Sequence, residues 1–444
     1  MIFKKILIVC MIFLLLGVNN LILIQSKSLD LNINNKFENK LDSNVIYITA
    51  SSPYEYGLKA GFQYRLQYKI LYFFVEVLKI DNNNLKIIEK QIDTIKQKYP
   101  NFYNELHGLS DSTGIKIKNL ISLQILFNRL FGGDCTVTAS TGPATRDNET
   151  YLTENYDNNF EKIGILKFNL LKILMTPIVR SYTWLWNRVV NIARTGPNQY
   201  DYAFFGLPVI GETTLINEKG LGYGGTGTHL TDNKTRYIDE GPGILIYLLN
   251  RVAMRSCKNV SEVGKLFKNS ERAADKNKGG YHDYDYDTSI WCDINGNILV
   301  IEQSHSFIKL VYGNSTEVTG APEGILWHTN HHIWLDANKT GSIYPGEDDV
   351  KKSSFVRAAR ARELLELNYG KITLEICKNI TRDHKKGSKE NEKDSWDICR
   401  HPDKNEFTLT YFSWIIVPKK MTAYWTYGSP CNRKFIEKDF SKIF

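Results

Sequence analysis

The stretch GGDCTVTASTGPATRDNETYLTENYDNN (residues 132–159) sets a single cysteine, Cys135, in front of two strand-like segments. TVTAS and TYLTEN are rich in β-branched residues and are separated by a turn, so the pattern predicts two neighbouring strands. Two-residue periodicity puts Asn155 and Asp157 on one face of the second strand. The pair of strands therefore brings a thiol, an amide and a carboxylate close together.

The rest of the chain predicts an α+β fold. Apolar residues recur at helical spacing in 57–74, 83–108 and 117–131, and amphipathic helices are predicted at 242–257, 260–274 and 351–368. Further strands are predicted within 212–223, 288–304 and 407–418. Strand clusters with helices grouped between them predict stacked sheets covered by helical layers.

Composition indicates a folded globular protein. The chain has 444 residues, of which 42% are hydrophobic and 23% charged, and it contains 25 Tyr and 21 Phe. The net charge of +8 is spread along the chain without a dense basic block. Nucleic acid is therefore not an expected partner.

The N-terminus predicts entry into the secretory route. Two lysines precede an apolar run within residues 1–26, which is either a cleaved signal peptide or an uncleaved signal anchor. Residues 27–45 are polar and predict a linker, and the fold should begin near Val45. A secreted protein, or one in an endomembrane lumen such as the lysosome, fits the six candidate glycosylation sites at Asn148, Asn233, Asn259, Asn314, Asn338 and Asn379.

Residues 161–194 differ from their surroundings, because they are apolar and carry six Lys or Arg against one Glu. One interpretation is a helical insertion packed on the core or at a dimer interface. The other is a lid that touches a membrane or an acyl chain, since Trp184 and Trp186 with flanking cations suit an interface.

Cys135 could act as a nucleophile if a base lies nearby. No motif predicts a Cys-His dyad among the nine histidines, which leaves the α-amino group of the cysteine itself as the candidate base. Metal and phosphate sites are disfavoured. HTNHH (328–332) has no carboxylate partner at a zinc spacing, DYDYD (283–287) lacks the Gly and Glu of a calcium loop, and GYGGTG (222–227) predicts a tight turn on a strand.

The six cysteines beyond the N-terminal segment are irregularly spaced and do not indicate a disulfide framework. With Cys135 free, five remain, so at most two disulfides can form. Cys399 with Cys431 is the candidate pair.

A set of short motifs carries a resemblance to a known family. These are SPYEYGLKAGFQYR (52–65), ELHGLSDSTGI (105–115), DCTVTASTGPAT and ENYD, GETTLINEKGLGYGG (211–225), CDINGNILVIEQS (292–304), HTNHH (328–332), SSFVRAARARELL (353–365), RDH and ICRH (382–401), and YGSPCNRKF (427–435). In this order the motifs resemble the acyl-coenzyme A:6-aminopenicillanate acyltransferases, also classed as C45 peptidases, within the N-terminal nucleophile hydrolases.

The resemblance implies a four-layer αββα sandwich made as a precursor that cuts itself between Asp134 and Cys135. The freed α-amine, with a pKa of about 8, would take the proton of the thiol. Asp157 would hold this amine, Asn330 would donate to the oxyanion with a backbone amide near Gly227, and Asn155 would support the strand. Arg357 would pair with a carboxylate in the site, with Ser354 as the other candidate for that position.

Two positions depart from the family pattern. Asp134 precedes the nucleophile where the fungal acyltransferase has Gly, and Glu154 stands where bile-salt hydrolases have Arg, which disfavours bile-salt substrates.

These observations predict a catalytic portion at 135–444 with an insertion at 161–200, preceded by a helical propeptide or small-subunit portion at 46–134. The predicted function is a cysteine amidohydrolase or acyltransferase that acts on linear amide bonds of a small molecule or a lipid. It needs no metal or organic cofactor. The alternative is a non-catalytic secreted or membrane-associated protein of the same fold that binds lipid or a protein partner.

Overall fold

The computed structural model describes residues 45–78, 85–131, 134–159, 190–209, 211–231, 233, 235–239, 241–273, 286–343, 352–384, 396–401 and 408–444. The predicted targeting segment, nearly all of the linker, and residues 160–189 with the two tryptophans lie outside these ranges. Within them, none of the helices combines the length and the apolar character needed to span a bilayer.

Within the described residues, the larger sheet has eight strands. Its spatial order is β1 (Val45–Thr49), β4 (Val190–Arg194), β5 (Tyr202–Leu207), β6 (Gly211–Asn217), β7 (Gly222–Thr228), β8 (Tyr286–Cys292), β9 (Ile298–Gln303) and β10 (Ile308–Tyr312). β1 pairs with β4 in parallel, and every other neighbouring pair is antiparallel.

The smaller sheet has six antiparallel strands in the part of the chain that the structure describes, and Cys135 immediately precedes one of them. Its order is β11 (Ile325–His328), β2 (Thr136–Ser140), β3 (Tyr151–Asn159), β12 (Thr408–Val417), β13 (Thr422–Trp425) and β14 (Ile436–Asp439). The predicted strands TVTAS and TYLTEN are β2 and the start of β3, and they pair with each other. Thr136 pairs with Asn155, so Cys135 lies at the end of β2 that faces the last residues of β3.

The helices lie on the outer faces of the two sheets. They are α1 (Pro53–Gln63), α2 (Arg65–Leu78), α3 (Leu85–Lys98), α4 (Pro100–Thr113), α5 (Ile117–Phe131), α6 (Ile246–Ser256), α7 (Val260–Lys268), α8 (Thr316–Thr319), α9 (Ala337–Thr340), α10 (Lys352–Leu367) and α11 (Leu374–Thr381). α1 to α7 contribute to one hydrophobic core with the outer face of the larger sheet, and α10 and α11 share another with the smaller sheet. A third core lies between the sheets, so the described residues form four layers.

Glycines allow α1 and α4 to pack closely. A Cβ on Gly57 would lie 2.0 Å from the carbonyl oxygen of Glu105, and one on Gly108 would lie 2.0 Å from that of Tyr54. The motifs around these glycines are therefore explained by helix packing. Ser52 caps α1 by accepting a hydrogen bond from the Glu55 N–H at 3.2 Å.

Two sequence predictions about local structure are wrong. Residues 190–194, assigned to a helical insertion, form β4 between β1 and β5, because the apolar face of this short segment is buried within the sheet. GYGGTG (222–227) lies in β7 rather than in a turn. Gly222 and Gly224 are needed because the sheets approach closely here, and a Cβ on Gly224 would lie 2.9 Å from the Glu154 carboxylate.

Candidate active site

Cys135 lies buried at the start of β2, with 3% of its surface exposed. Its thiol accepts a hydrogen bond from the backbone N–H of Asp157 on β3. Burial raises the pKa of the thiol well above its ordinary value, and the carboxylates of Glu154, Asp157 and Asp134 raise it further. In the intact chain the thiol is therefore protonated and needs a base before it can react.

Arg357 connects the cysteine to the loop after β11. Its guanidinium donates to the carbonyl oxygen of Cys135 at 2.8 Å, to Thr136 Oγ1 at 2.8 Å and to Asn330 Oδ1 at 2.7 Å. Burial, with the nearby charge of Arg400, lowers its pKa to about 10, so it remains a cation at neutral pH. The rigid fork of an arginine is what allows one side chain to hold several acceptors.

Asn330 is held at the end of β7. Its side-chain amide donates to the carbonyl oxygen of Gly227 at 2.7 Å, and its backbone carbonyl accepts from the His229 N–H at 2.8 Å. Ser354 accepts a hydrogen bond from the Asn330 backbone N–H at 2.8 Å. Of the two α10 side chains considered for the site, Arg357 reaches the cysteine and Ser354 supports the loop.

Asp157 is fully buried, and its Oδ1 accepts a hydrogen bond from the Thr410 hydroxyl at 2.5 Å. Burial raises the pKa of this carboxyl to about 7, although the positive charges of Arg400 and Arg357 oppose the shift. A carboxyl group whose pKa is close to 7 is typical of functional sites. It also suits a partner for a neighbouring amine.

Asp134, the residue before the cysteine, is also buried, and its carboxylate contacts Arg400 and His229. Its Oδ2 lies 3.1 Å from Nη1 of Arg400, and its Oδ1 lies 2.6 Å from Nε2 of His229. Arg400 is fully buried and was not among the residues predicted for the site. The only sequence signal for it was the ICRH motif, since nothing local distinguishes a buried arginine from an exposed one.

Asn155 lies on β3, as Asp157 does, but it supports the framework around the site. Its amide nitrogen donates to the carbonyl oxygens of Thr381 and Ile398, both at 2.8 Å. These bonds tie β3 to the end of α11 and to the segment that leads to Arg400.

A buried glutamate that the sequence analysis missed holds the loop containing Asn330. Glu302 on β9 lies 2.8 Å from His328 Nε2 and accepts backbone N–H bonds from Ile333 at 2.6 Å, Trp334 at 2.9 Å and Leu335 at 2.5 Å. Burial alone would raise the pKa of Glu302, but the bond with His328 and the surrounding donors outweigh it, and the pKa is lowered.

The histidines of HTNHH do not converge on one point. His328 meets Glu302, His331 Nδ1 lies 2.8 Å from the Ser354 hydroxyl, and His332 Nδ1 lies 3.0 Å from the Thr340 hydroxyl. Burial lowers the pKa of His332 to about 4, so this ring is neutral at physiological pH. These side chains build the loop around Asn330.

The six candidate glycosylation sites all lie in described residues. Asn259 is half buried and caps α7, accepting from the Glu262 N–H at 2.9 Å, whereas the other five are exposed. The six described cysteines are free thiols, including Cys399 and Cys431. That predicted pair is close in space but is not bonded.

No family model matches the chain, and no curated protein matches it in sequence. Among solved structures it is similar to a mutant and a variant of conjugated bile acid hydrolase from Clostridium perfringens, at 16% and 14% identity with TM-scores of 0.38 and 0.36. Penicillin V acylase from Agrobacterium tumefaciens gives 10% identity and a TM-score of 0.36. Each match covers 69% of this chain, and 93%, 93% and 87% of the respective neighbour. Values this low carry no argument about activity, which has to be inferred from the site.

Proposed function

We propose that this protein is a cysteine amidohydrolase or acyltransferase of the N-terminal nucleophile type, in which Cys135 becomes the nucleophile after the chain cuts itself before it. The observation that carries the proposal is the set of hydrogen bonds of Arg357, which join the backbone of Cys135 to the side chain of Asn330. A buried thiol, a carboxyl and an amide thereby meet at one end of the two-sheet sandwich.

Self-cleavage would begin with attack of the Cys135 sulfur on the carbonyl carbon of Asp134. The peptide C–N bond breaks, a thioester forms, and the nitrogen leaves with a proton as the α-amine of Cys135. Water then hydrolyses the thioester, which gives a carboxylate at Asp134 and a free thiol. The Arg400 contact supports this step, because its positive charge offsets the Asp134 carboxylate beside the reacting bond.

In turnover, the α-amine would accept the thiol proton, since an unperturbed α-amine has a pKa of about 8. The Asp157 carboxyl group would hold the resulting ammonium, since it is buried beside Cys135. The thiolate attacks the acyl carbon, and the Asn330 amide with a backbone N–H stabilises the oxyanion. The ammonium then protonates the departing amine, and water or a second amine takes the acyl group from the thioester.

The substrate class proposed is a linear amide, such as a lipid amide or an acylated amino compound. Glu154 supports a substrate other than a bile salt, because it lies between the sheets and accepts the Gly225 N–H at 2.8 Å, adding negative charge beside the cysteine. The secretory location also remains a proposal, and coenzyme A thioesters are not expected as donors there.

N-terminal sequencing and intact mass of the purified protein test the proposal. We expect a fragment that begins Cys-Thr-Val, and labelling of Cys135 by an alkylating probe. A single uncut chain in which the probe leaves Cys135 unlabelled would refute the enzyme and favour the non-catalytic lipid-binding or partner-binding alternative.

Two cysteine variants make the test specific. Cys135→Ala should remain a single chain, because it lacks the attacking sulfur. Cys257→Ala removes another buried thiol, at the end of α6, and should still cleave. Cleavage in both variants would show that a protease, rather than Cys135, cuts the chain.

A further inference from the structure

Four side chains of types that can bind a metal ion converge on one point near the candidate active site. His384, Cys399, His401 and Cys431 offer ligand atoms that all lie within 4.8 Å of one another. They come from three segments: the residues after α11, the stretch before β12, and the short helical turn Pro430–Asn432. Among the described residues, this is the group whose ligand atoms are arranged to hold a metal ion.

Three distances between ligand atoms are close to those of a tetrahedral zinc site. With Zn–N bonds of about 2.0–2.1 Å and Zn–S bonds of about 2.3 Å, two nitrogens should lie about 3.3 Å apart, and a nitrogen and a sulfur about 3.6 Å apart. The Nε2 atoms of His384 and His401 are 3.1 Å apart. His401 Nε2 lies 3.7 Å from the sulfur of Cys399 and 3.3 Å from that of Cys431.

The surrounding contacts hold the ligands in this arrangement. Asp383, next to His384, is bound by the Arg360 guanidinium at 2.7 and 3.0 Å, and its carbonyl oxygen accepts the Cys399 N–H at 3.0 Å. Arg382 Nε donates to the carbonyl oxygen of Pro430 at 3.2 Å. The three segments are therefore tied together by contacts that do not involve the ligand side chains, as expected of a preformed site.

We propose that His384, Cys399, His401 and Cys431 bind one zinc ion. Two thiolates with two imidazoles favour zinc over magnesium or calcium, which prefer oxygen ligands. Four protein ligands fill a tetrahedral shell and leave no position for substrate, so the ion is structural.

The position of Arg400 gives this ion a role in the active site. Arg400 lies between the ligands Cys399 and His401 in sequence, and its guanidinium contacts Asp134 at 3.1 Å. Its backbone N–H donates to the Thr410 hydroxyl at 2.9 Å, and the same hydroxyl donates to Asp157. Zinc bound at both neighbours would hold Arg400 against the residue before the cleavage site. This positioning role rests on the proposed function, whereas the zinc site does not.

Metal analysis of the full-length Cys135→Ala chain, purified from zinc-supplemented cells, tests the site without requiring cleavage. Elemental analysis and native mass spectrometry should give about one zinc per chain. The double variant Cys399→Ser/Cys431→Ser should lose it. The matched double variant Cys257→Ser/Cys377→Ser, which removes two buried thiols elsewhere, should retain it.

Cobalt titration of the Cys135→Ala chain after its zinc has been removed provides a measurement that needs no substitution of the four ligands. Visible absorption of tetrahedral cobalt with thiolate charge-transfer bands is expected, together with a lower melting temperature after stripping that added zinc restores. Absence of bound zinc or cobalt overturns the site, and so does a Cys399–Cys431 disulfide found by peptide mapping without reduction.

The outcomes separate the two proposals. Zinc bound by a wild-type chain that never cleaves removes the proposed function and leaves the metal site. Cleavage at an unchanged rate after zinc removal leaves the function and removes the role of the ion in placing Arg400.

Discussion

The guanidinium of Arg357 lies 2.8 Å from the carbonyl oxygen of Cys135, although the two residues are 222 positions apart in the chain. One helix of the outer layer therefore fixes the backbone at the start of β2. The same side chain donates to Asn330, so one cation holds both the proposed nucleophile and the proposed oxyanion donor.

Arg357→Lys should slow self-cleavage by about 10²-fold or more, because an ammonium cannot replace the fork that holds Cys135 and Asn330 together. The rate is measured from the appearance of the cleaved fragment after a synthesis pulse. Arg362→Lys is the matched control on α10, since Arg362 is partly exposed and pairs with Glu366. Equal rates in both variants would contradict the role of Arg357.

Asp157→Asn should stabilise the uncut chain above pH 7. The folded-state pKa of about 7 exceeds the unfolded value of about 3.9, so the stability from the protonated carboxyl is full below pH 4 and lost as pH rises through 7. In the Cys135→Ala background, urea unfolding at pH 8 should show a gain on the order of 2–4 kcal/mol that disappears near pH 4.

Asp239→Asn is the contrasting control for that experiment. Its carboxylate is stabilised by Ser304 and Ser306, and the pKa of Asp239 is lowered although burial opposes the shift. The substitution should therefore destabilise the chain at pH 8. A lower free energy of unfolding at pH 8 in both variants would show that the charged form of Asp157 is stabilised overall.

Glu302→Gln should destabilise the protein by about 3–5 kcal/mol at pH 7, because an amide cannot accept the four donors that meet this carboxylate. The lowered pKa of Glu302 means that its stabilisation is present above pH 4.3 and lost as pH falls through the folded-state value. Urea unfolding at pH 7 and pH 3.5 should show that the substitution lowers the free energy of unfolding less at the acidic pH. Glu323→Gln, at an exposed position, should show neither effect.

Asn155→Ala should cost about 2–3 kcal/mol of stability, because it leaves two buried carbonyl oxygens without their donor. Cleavage should slow less than in Arg357→Lys, since Asn155 does not contact Cys135 among the hydrogen bonds of the described residues. Unfolding and pulse-labelling measurements on the same samples separate the effects. A cleavage defect as large as that of Arg357→Lys, with normal stability, would assign Asn155 a direct role.

The sequence predicted elements whose signals are local. The alternation in TVTAS and the turn after it identified β2 and β3, and apolar spacing identified α10. β1 and β4 were missed because their parallel pairing depends on residues far apart, and because VNIAR follows a basic apolar stretch that dominated its interpretation.

The site was predicted in part for the same reason. Cys135 and Asp157 lie on adjacent strands, so periodicity brought them together. Glu302 sits in an ordinary strand pattern, and the importance of its carboxylate comes from the loop that folds over it. The four residues of the proposed zinc site lacked a recognisable spacing, because their convergence depends on the packing of α11 against β12.

β1 precedes the Asp134–Cys135 bond in the sequence and β4 follows it, and the two strands pair in parallel. A cut at that bond would leave two polypeptides that share a β-sheet and a hydrophobic core. Such a protein would be a heterodimer whose two chains fold together, so dilution alone would not separate them. The shorter polypeptide is then a permanent subunit of the mature molecule, and the two should copurify until a denaturant unfolds them.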